Sequence, residues 1–332
     1  MSTFCRNIII AFGAIMIMSC SGYDFDQEQF KNEINLLSNS QSIYDKQVAT
    51  IRDEMDDTIH IVAGLSGTLP HDKDLEVTIV EADSLFDSYN KSNFDIDSSR
   101  FAKILPDHCF EIPQLSTKIK AGEFKAFFPV YLRNLGSLSP DTLYFINYKI
   151  DPERSDAFNE EKQEVLLQIF MKNDYATTQS NTFYNFNSSF ITTLGDDSAV
   201  PRRPTSSVQV FPVGEHSVRM LAGDENMGEY RTALDRINDR SIVVTVKDKT
   251  PQNPAARFVK IESYKNLEIK QLPPDDIYDN TYLINAVTSP GGRINYYKEF
   301  RLHYQYRLSP TEPFKEVKGI LRLEYNPNSD LL

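Results

Sequence analysis

The alternation of apolar and polar residues across residues 300–325 is the feature that most restricts the fold of this chain. A period of two is that of a half-buried β-strand, because successive side chains point to opposite faces of a sheet. The first alternating segment is residues 300–308. A second one, residues 317–325, follows a loop that contains two prolines. The two segments therefore predict an antiparallel hairpin with a long loop. The residues predicted to face the core from its first strand are Phe300, Leu302, Tyr304, Tyr306 and Leu308.

Short β-branched or aromatic segments, bounded by Gly, Pro or Asp, dominate the rest of the sequence and predict further strands. The clearest are residues 59–65, 75–80, 124–132, 143–150, 165–171, 182–190, 208–213, 241–246 and 258–261. One segment, at about 225–237, has its apolar residues spaced as in an amphipathic helix, and Asp224 is placed to cap it. We therefore predict a mainly all-β protein. An immunoglobulin-like β-sandwich is expected first, then a C-terminal β-sandwich or barrel-like domain with one short helix.

A proline and a cluster of charged residues at 151–156 interrupt the strand pattern and predict a boundary between two domains. Two domains also suit a length of 332 residues, since a domain has about 150 residues as a prior. The predicted segments are a signal peptide at 1–19, a tether and first strand at 20–57, the N-terminal sandwich at 58–150, a linker at 151–164 and the C-terminal β domain at 165–327.

The amino-terminal segment predicts a lipid anchor. Residues 8–18 are uninterruptedly apolar and follow Arg6, but they are shorter than the ~20 residues that a membrane-spanning helix needs. The run ends in IMSC at 17–20, which resembles a bacterial lipobox. This resemblance implies cleavage before Cys20 and acylation of its thiol, whereas the alternative is an ordinary signal peptide with a chance cysteine. Because each buried CH₂ contributes ~0.8 kcal/mol, two or three acyl chains would hold the protein on the outer-membrane lipid.

The net charge argues against a nucleic-acid-binding protein, and the cysteine content argues against a disulfide-stabilised one. The chain has 35 basic and 47 acidic residues and a formal charge of −12, so it lacks the basic surface that a nucleic-acid partner requires. If Cys5 leaves with the signal peptide and Cys20 carries lipid, only Cys109 remains. No intramolecular disulfide is then available, and each domain depends on its own hydrophobic core.

The sequence matches known catalytic and metal-binding motifs only in part, and the residues that it lacks are the ones that the chemistry requires. The nearest match to the D-x-x-D-x-D-x-E motif of family 18 glycosidases, residues 53–60, has Thr58 and His60 at its last two required positions and so lacks the general acid. Residues 64–68 lack the second glycine of G-x-S-x-G, and the five histidines show no H-E-x-x-H spacing. We therefore predict no enzyme activity, no cofactor and no metal site. Acidic pairs such as Asp72 with Asp74 leave a calcium-binding loop open as an alternative to solvated loop acids.

Four segments of the first domain resemble those of a known family. They are AGLSG at 63–67, LFDSYN at 85–90, ILP at 104–106 and IKAG at 119–122. The region resembles an N-terminal β-sandwich domain of unknown function in Bacteroidota surface lipoproteins of the glycan-utilisation (Sus-like) type. The same domain precedes some family 18 endo-β-N-acetylglucosaminidases. Residues 182–327 resemble a second uncharacterised domain that often follows it.

The resemblance implies a glycan-binding accessory lipoprotein, with components of a SusC/SusD-like transporter as further partners. The early acidic residues of segment 21–28 resemble export signals of such lipoproteins and imply a location on the outer cell face. The second hypothesis is a structural or protein-interaction lipoprotein that scaffolds an outer-membrane complex or adheres to a host protein. The resemblance itself defines no binding site.

A glycan site in this chain must stack its sugar on Tyr or Phe, because the sequence has no Trp. Tyr297 falls on the polar face of its predicted strand together with Arg301, whereas Tyr304 and Tyr306 fall on the core face. The other candidates lie in predicted loops or strand ends, where binding residues concentrate. The candidate glycan-binding residues are thus Tyr297, Arg301, Arg202, Arg203 and Tyr184. For each of them, an exposed surface position without a ligand is the alternative.

Overall fold

The computed structural model describes residues 31–55, 57–69, 71–195, 198–204, 207–227, 234–251 and 253–327. Within these ranges the chain forms 21 β-strands and two α-helices, which confirms the mainly all-β prediction. None of the described helices is long and apolar enough to cross a membrane. The predicted signal peptide, Cys20 and the first part of the tether lie outside the described residues.

The first domain is a sandwich of two β-sheets. Its elements are β1 (Ile34–Leu36), β2 (Ile43–Tyr44), β3 (Val48–Thr50), β4 (Asp57–Leu65), β5 (Leu75–Glu81), α1 (Ser84–Phe94), β6 (Lys103–Ile104), β7 (Phe110–Glu111), β8 (Ser116–Ile119), β9 (Lys125–Leu132), β10 (Tyr144–Ile150) and β11 (Glu164–Lys172). One sheet has the order β1-β4-β9-β7, and the other has the order β2-β11-β10-β5-β8. Strand β3 also pairs with β11, and β6 pairs with β10.

The core of the sandwich follows from strict alternation along its strands. On β9, Phe128 and Val130 are fully buried, whereas Phe127 and Tyr131 are exposed. Phe128 packs in one cluster with residues of the second sheet, including Ile79. Full burial of one such side chain stabilises the folded state by about 1.5–3 kcal/mol. The helix α1 covers a separate small cluster on the outside of the second sheet.

By strand pairing, the first domain extends beyond the predicted boundary. Strand β11, predicted to open the C-terminal domain, pairs antiparallel with β10, and its apolar residues lie in the sandwich core. The predicted linker supplies the loop between these two strands. Its hydroxyl and carboxylate groups accept hydrogen bonds from β5, where Ser155 Oγ is 2.9 Å from the Thr78 N–H and Asp156 Oδ2 is 2.7 Å from the Glu76 N–H. The charge cluster thus marks a docked loop within one sheet.

The second domain is an eight-stranded antiparallel barrel. Its elements are β12 (Thr182–Phe186), β13 (Phe190–Thr193), β14 (Ser207–Gly214), β15 (Ser217–Leu221), α2 (Leu234–Arg240), β16 (Ser241–Lys249), β17 (Ala256–Ser263), β18 (Glu268–Gln271), β19 (Thr281–Thr288), β20 (Ile294–Arg307) and β21 (Lys315–Tyr325). The barrel order is β12-β14-β15-β16-β17-β19-β20-β21, and β21 pairs with β12 to close it. Strands β13 and β18 pair with β21 and β20 at the side.

The barrel interior is packed with aromatic side chains, as expected for eight strands. The predicted hairpin is confirmed as β20 and β21, paired from Tyr296 opposite Tyr325 to Tyr306 opposite Lys315. Tyr304 and Tyr306 are buried, as predicted. Of the predicted helix at about 225–237, the described residues show 225–227 as non-helical and 234–237 as part of α2 (Leu234–Arg240).

Candidate ligand-binding cleft

Tyr184, a predicted glycan-binding residue, is part of the barrel core, so this prediction is wrong. The side chain is 0% exposed, and its hydroxyl donates a hydrogen bond to the carbonyl oxygen of Tyr175 at 3.0 Å. Burial raises the pKa of the Tyr184 phenol well above its ordinary value. Because faces alternate along a strand, the residue that points outward is its neighbour Phe183, which is 45% exposed.

Tyr297 and Arg301 lie on the outer face of β20, as predicted, within a hydrogen-bonded network of the barrel wall. Arg301 Nε donates to the fully buried carboxylate of Glu299 at 2.7 Å. Glu299 also accepts from Asn285 Nδ2 at 2.9 Å and from Arg322 Nε at 2.5 Å. Burial opposes ionisation of Glu299, but these donors outweigh it and hold its pKa below the ordinary value. The Arg322 guanidinium lies 5.8 Å from the centre of the Tyr297 ring.

Arg202 and Arg203 lie elsewhere on the barrel. Arg202 forms a two-pronged ion pair with Asp224, with one Nη2–Oδ1 distance of 2.8 Å. Arg203 lies 6.0 Å from the ring centre of Phe190. The residue after Asp224, Glu225, accepts a hydrogen bond from the hydroxyl of Tyr306, close to the far end of β20.

The predicted residues therefore do not form one site. Tyr297 and Tyr306 are nine positions apart on β20, which corresponds to about 30 Å along a strand at ~3.3 Å per residue. Tyr297 lies near one end of this strand and Arg301 lies in its middle. The ion pair of Arg202 lies near the other end. Neither Tyr297 nor Arg301 lines the clefts described below.

A cleft of about 530 Å³ lies on the outer face of β12, β14 and β15. Its two rings are Phe183 and Phe211, and the cross-strand neighbours of these residues are Gln209 and Arg219 respectively. The cleft is lined further by Asp141, Ser207, Asp224, Glu225 and Asn226. An exposed ring beside amide and carboxylate groups can stack on the apolar face of a pyranose and accept hydrogen bonds from its hydroxyls.

Arg219 joins the two domains at this cleft. Its buried guanidinium forms a two-pronged ion pair with Asp141 of the first domain, with an Nη2–Oδ1 distance of 2.8 Å. The guanidinium also lies 4.4 Å from the ring centre of Phe211 and 5.4 Å from that of Tyr264. The position of Phe211 in the cleft therefore depends on a contact between domains.

The rim formed by residues 223–227 is held by buried polar contacts. Glu225 accepts hydrogen bonds from Tyr306 at 2.9 Å, from Lys315 at 2.7 Å and from Arg240 at 2.6 Å. Gly223 has a φ of +52°, and a Cβ at this position would lie 2.9 Å from the Tyr306 hydroxyl oxygen. The rim thus requires glycine here, and Arg202 contributes indirectly by holding Asp224.

Phe183, Phe211 and Arg219 were not among the predicted site residues. The alternation within segments 182–186 and 207–214 could have predicted that the two rings face outward. It puts Phe183 on the same strand face as Asn185, and Phe211 on the same strand face as Gln209. No comparable sequence signal identifies Arg219, whose partner is 78 residues away. Within the described ranges, no group of three or more His, Cys, Asp or Glu side chains is arranged to hold a metal ion.

Two family models match the chain, one for an N-terminal domain at residues 30–157 and one for a C-terminal domain at residues 163–322. The two matches cover most of the chain, and the protein therefore belongs to this two-domain family. The resemblance to two-domain Bacteroidota proteins is thereby confirmed. No curated protein sequence matches the chain.

Solved structures with the same fold come from Bacteroides. A Bacteroides ovatus protein of unknown function has a TM-score of 0.63 at 17% identity, covering 90% of this chain and 96% of its own. A second one has a TM-score of 0.62 at 15% identity, covering 91% and 96%. An auxiliary nutrient binding protein from Bacteroides thetaiotaomicron has a TM-score of 0.59 at 14% identity, covering 87% and 94%. At these identities the similarity establishes the fold.

Proposed function

We propose that this protein is a non-catalytic, glycan-binding accessory lipoprotein of a glycan-uptake system, held on the outer face of the outer membrane by acylated Cys20. The observation that carries the proposal is the cleft on the barrel wall, where the exposed ring of Phe183 stands beside carboxylate and amide groups. One structural relative is called an auxiliary nutrient binding protein, and the proposal extends a role of that kind to this chain.

The charges of the cleft favour a neutral saccharide. Its acidic lining residues are Asp141, Asp224 and Glu225, and its basic lining residue is Arg219. Each carboxylate already accepts from a cation, and the remaining oxygen lone pairs suit hydroxyl donors. An anionic ligand would have to compete with these carboxylates for Arg219, Arg202 and Arg240, which are already paired with them.

Substitution of Phe183 by alanine is expected to weaken the binding of a neutral glycan at least tenfold, equivalent to about 1.4 kcal/mol, because it removes the stacking surface. The affinity would be measured by calorimetry on the full-length protein in detergent micelles, with a panel of neutral host and plant oligosaccharides. Phe258→Ala is the matched control, since Phe258 is also 45% exposed but lies on β17.

Tyr297→Ala tests the sequence-predicted surface in the same assay, and this prediction stays open. Equal affinities for the wild type and Phe183→Ala would remove the cleft from the proposal. A panel in which no glycan binds would favour the alternative of a scaffold or protein-interaction lipoprotein.

Substitution of Cys20 by serine is expected to abolish incorporation of labelled palmitate and to release the protein from the membrane fraction, because the serine hydroxyl does not receive the lipid. Cys109→Ser is the control, since Cys109 is a buried thiol in the sandwich core. Continued labelling and membrane association of the Cys20 variant would contradict the lipid anchor.

A further inference from the structure

The barrel opens toward the first domain in a second cleft, of about 500 Å³. The barrel contributes to its lining from β17, β19, β20 and β21, through Arg257, Tyr282, Ile284, Lys298 and Tyr325. Arg257 is paired directly with Tyr282, and Lys298 with Ile284. Lys298 shares its strand face with Phe300 of the core, and Tyr325 shares its face with Leu323 and Leu321. The cleft is therefore the mouth of the barrel, a place where ligand sites often form.

Aromatic rings form the apolar part of this mouth. Tyr175 and Tyr282 are buried beneath it, with their ring centres 4.9 Å apart in an edge-to-face arrangement. Burial raises the pKa of Tyr175 to about 12, so its phenol is neutral at physiological pH. Tyr325 stands partly exposed at the lip, with the Lys298 ammonium 5.2 Å from its ring centre. A ligand entering the mouth meets the Tyr325 ring as a stacking surface.

The mouth is cationic. Its basic lining residues are Lys172, Arg257 and Lys298, and its acidic lining residue is Asp174. Lys298 donates to the backbone carbonyl of Asp174, which holds its ammonium at the cleft. Lys172 and Arg257 are exposed, and neither forms a salt bridge within the part of the chain that the structure describes.

This charge is opposite to that of the protein as a whole, which has 47 acidic and 35 basic residues. A concave surface lined by one sign of charge concentrates ligands of the other sign. A guanidinium binds carboxylate or sulfate oxygens through two parallel hydrogen bonds, which adds geometric selectivity.

We propose that the barrel mouth is a second saccharide site, selective for sugars that carry a carboxylate or a sulfate. Arg257 and Lys172 bind the anionic group, and Tyr325 stacks on the sugar ring. The proposal rests on the proposed function, because it assigns a second glycan class to the same protein. The two clefts divide the ligands by charge, with neutral sugars at Phe183 and anionic sugars at Arg257.

The test uses the full-length protein in detergent micelles and three oligosaccharides of equal length, measured by calorimetry. The probes are an oligogalacturonate, its carboxyl-reduced neutral counterpart and a sulfated oligosaccharide. We expect at least one anionic probe to bind, the neutral counterpart to bind at least tenfold more weakly at this cleft, and added salt to weaken the anionic interaction. The anionic probe that binds more tightly identifies the group that the mouth recognises.

Arg257→Gln is expected to weaken anionic binding at least tenfold, and Lys172→Gln is expected to weaken it by a smaller factor. Lys270→Gln is the matched control, because it removes one exposed positive charge from β18, outside the cleft. Circular dichroism and thermal unfolding establish that each variant is folded, and Lys172→Gln serves as the test if Arg257→Gln is not.

Absence of binding by both anionic probes would overturn the proposal, as would binding that Arg257→Gln and Lys172→Gln leave unchanged. Failure of this proposal is distinguishable from failure of the proposed function. Neutral glycan binding that depends on Phe183, without anionic binding, leaves the function intact and removes the second site. Anionic binding that depends on Arg257, without neutral binding, retains the second site and removes the first.

Discussion

Truncation of Tyr184 to alanine is expected to lower the free energy of unfolding by about 4 kcal/mol. The ring is fully buried, and its centre lies 5.4 Å from that of Phe300 in the middle of the barrel. Its removal leaves a cavity in a core that is packed on all sides, and it leaves the Tyr175 carbonyl without the hydrogen bond that Tyr184 donates. Both effects act in the same direction.

The measurement is urea-induced unfolding followed by circular dichroism, since the chain has no Trp for fluorescence. Phe183→Ala is the matched control, because it removes an aromatic ring from the next residue of the same strand on the opposite face. Its cost is expected to be below about 1 kcal/mol, as for a substitution at the surface. Equal costs for the two variants would show that the assignment of faces on β12 is incorrect.

Substitution of Asp141 by alanine is expected to lower the free energy of unfolding by about 3–5 kcal/mol. The change leaves the guanidinium of Arg219 buried at the contact between the domains without its carboxylate partner. A buried unpaired charge is costly because its desolvation is no longer offset. Urea unfolding of the full-length protein measures the loss.

Two comparisons test the cause of this loss. The double variant Asp141→Ala with Arg219→Met is expected to recover part of the stability, since methionine needs no ionic partner there. Glu111→Ala, which breaks the exposed ion pair with Arg133, is expected to cost less than about 1 kcal/mol. A double variant that is as unstable as the sum of its single changes would contradict an unpaired charge as the cause.

Alternation in residues 300–325 was sufficient to predict the β20–β21 hairpin and the burial of Tyr304 and Tyr306. The reason is that a long alternating segment, with large residues on one face and charges on the other, has only one favourable orientation toward a core. On the short strand β12 both faces carry an aromatic residue, and the sequence pattern did not distinguish Tyr184 from Phe183. Burial of Tyr184 became clear only from the packing of the barrel interior.

The sequence by itself determined the β class, the positions of most of the longer strands and the hairpin, because these depend on residues close together in the chain. The tertiary structure decided that the second domain is a closed barrel, since inward and outward residues alternate identically in a sandwich. Closure depends on the pairing of β12 with β21, at Asn185 and Arg322. The tertiary structure also decided that β11 belongs to the second sheet of the first domain and that Arg219 pairs with Asp141. Such contacts join residues that are distant in sequence, so the local periodicity of the sequence does not predict them.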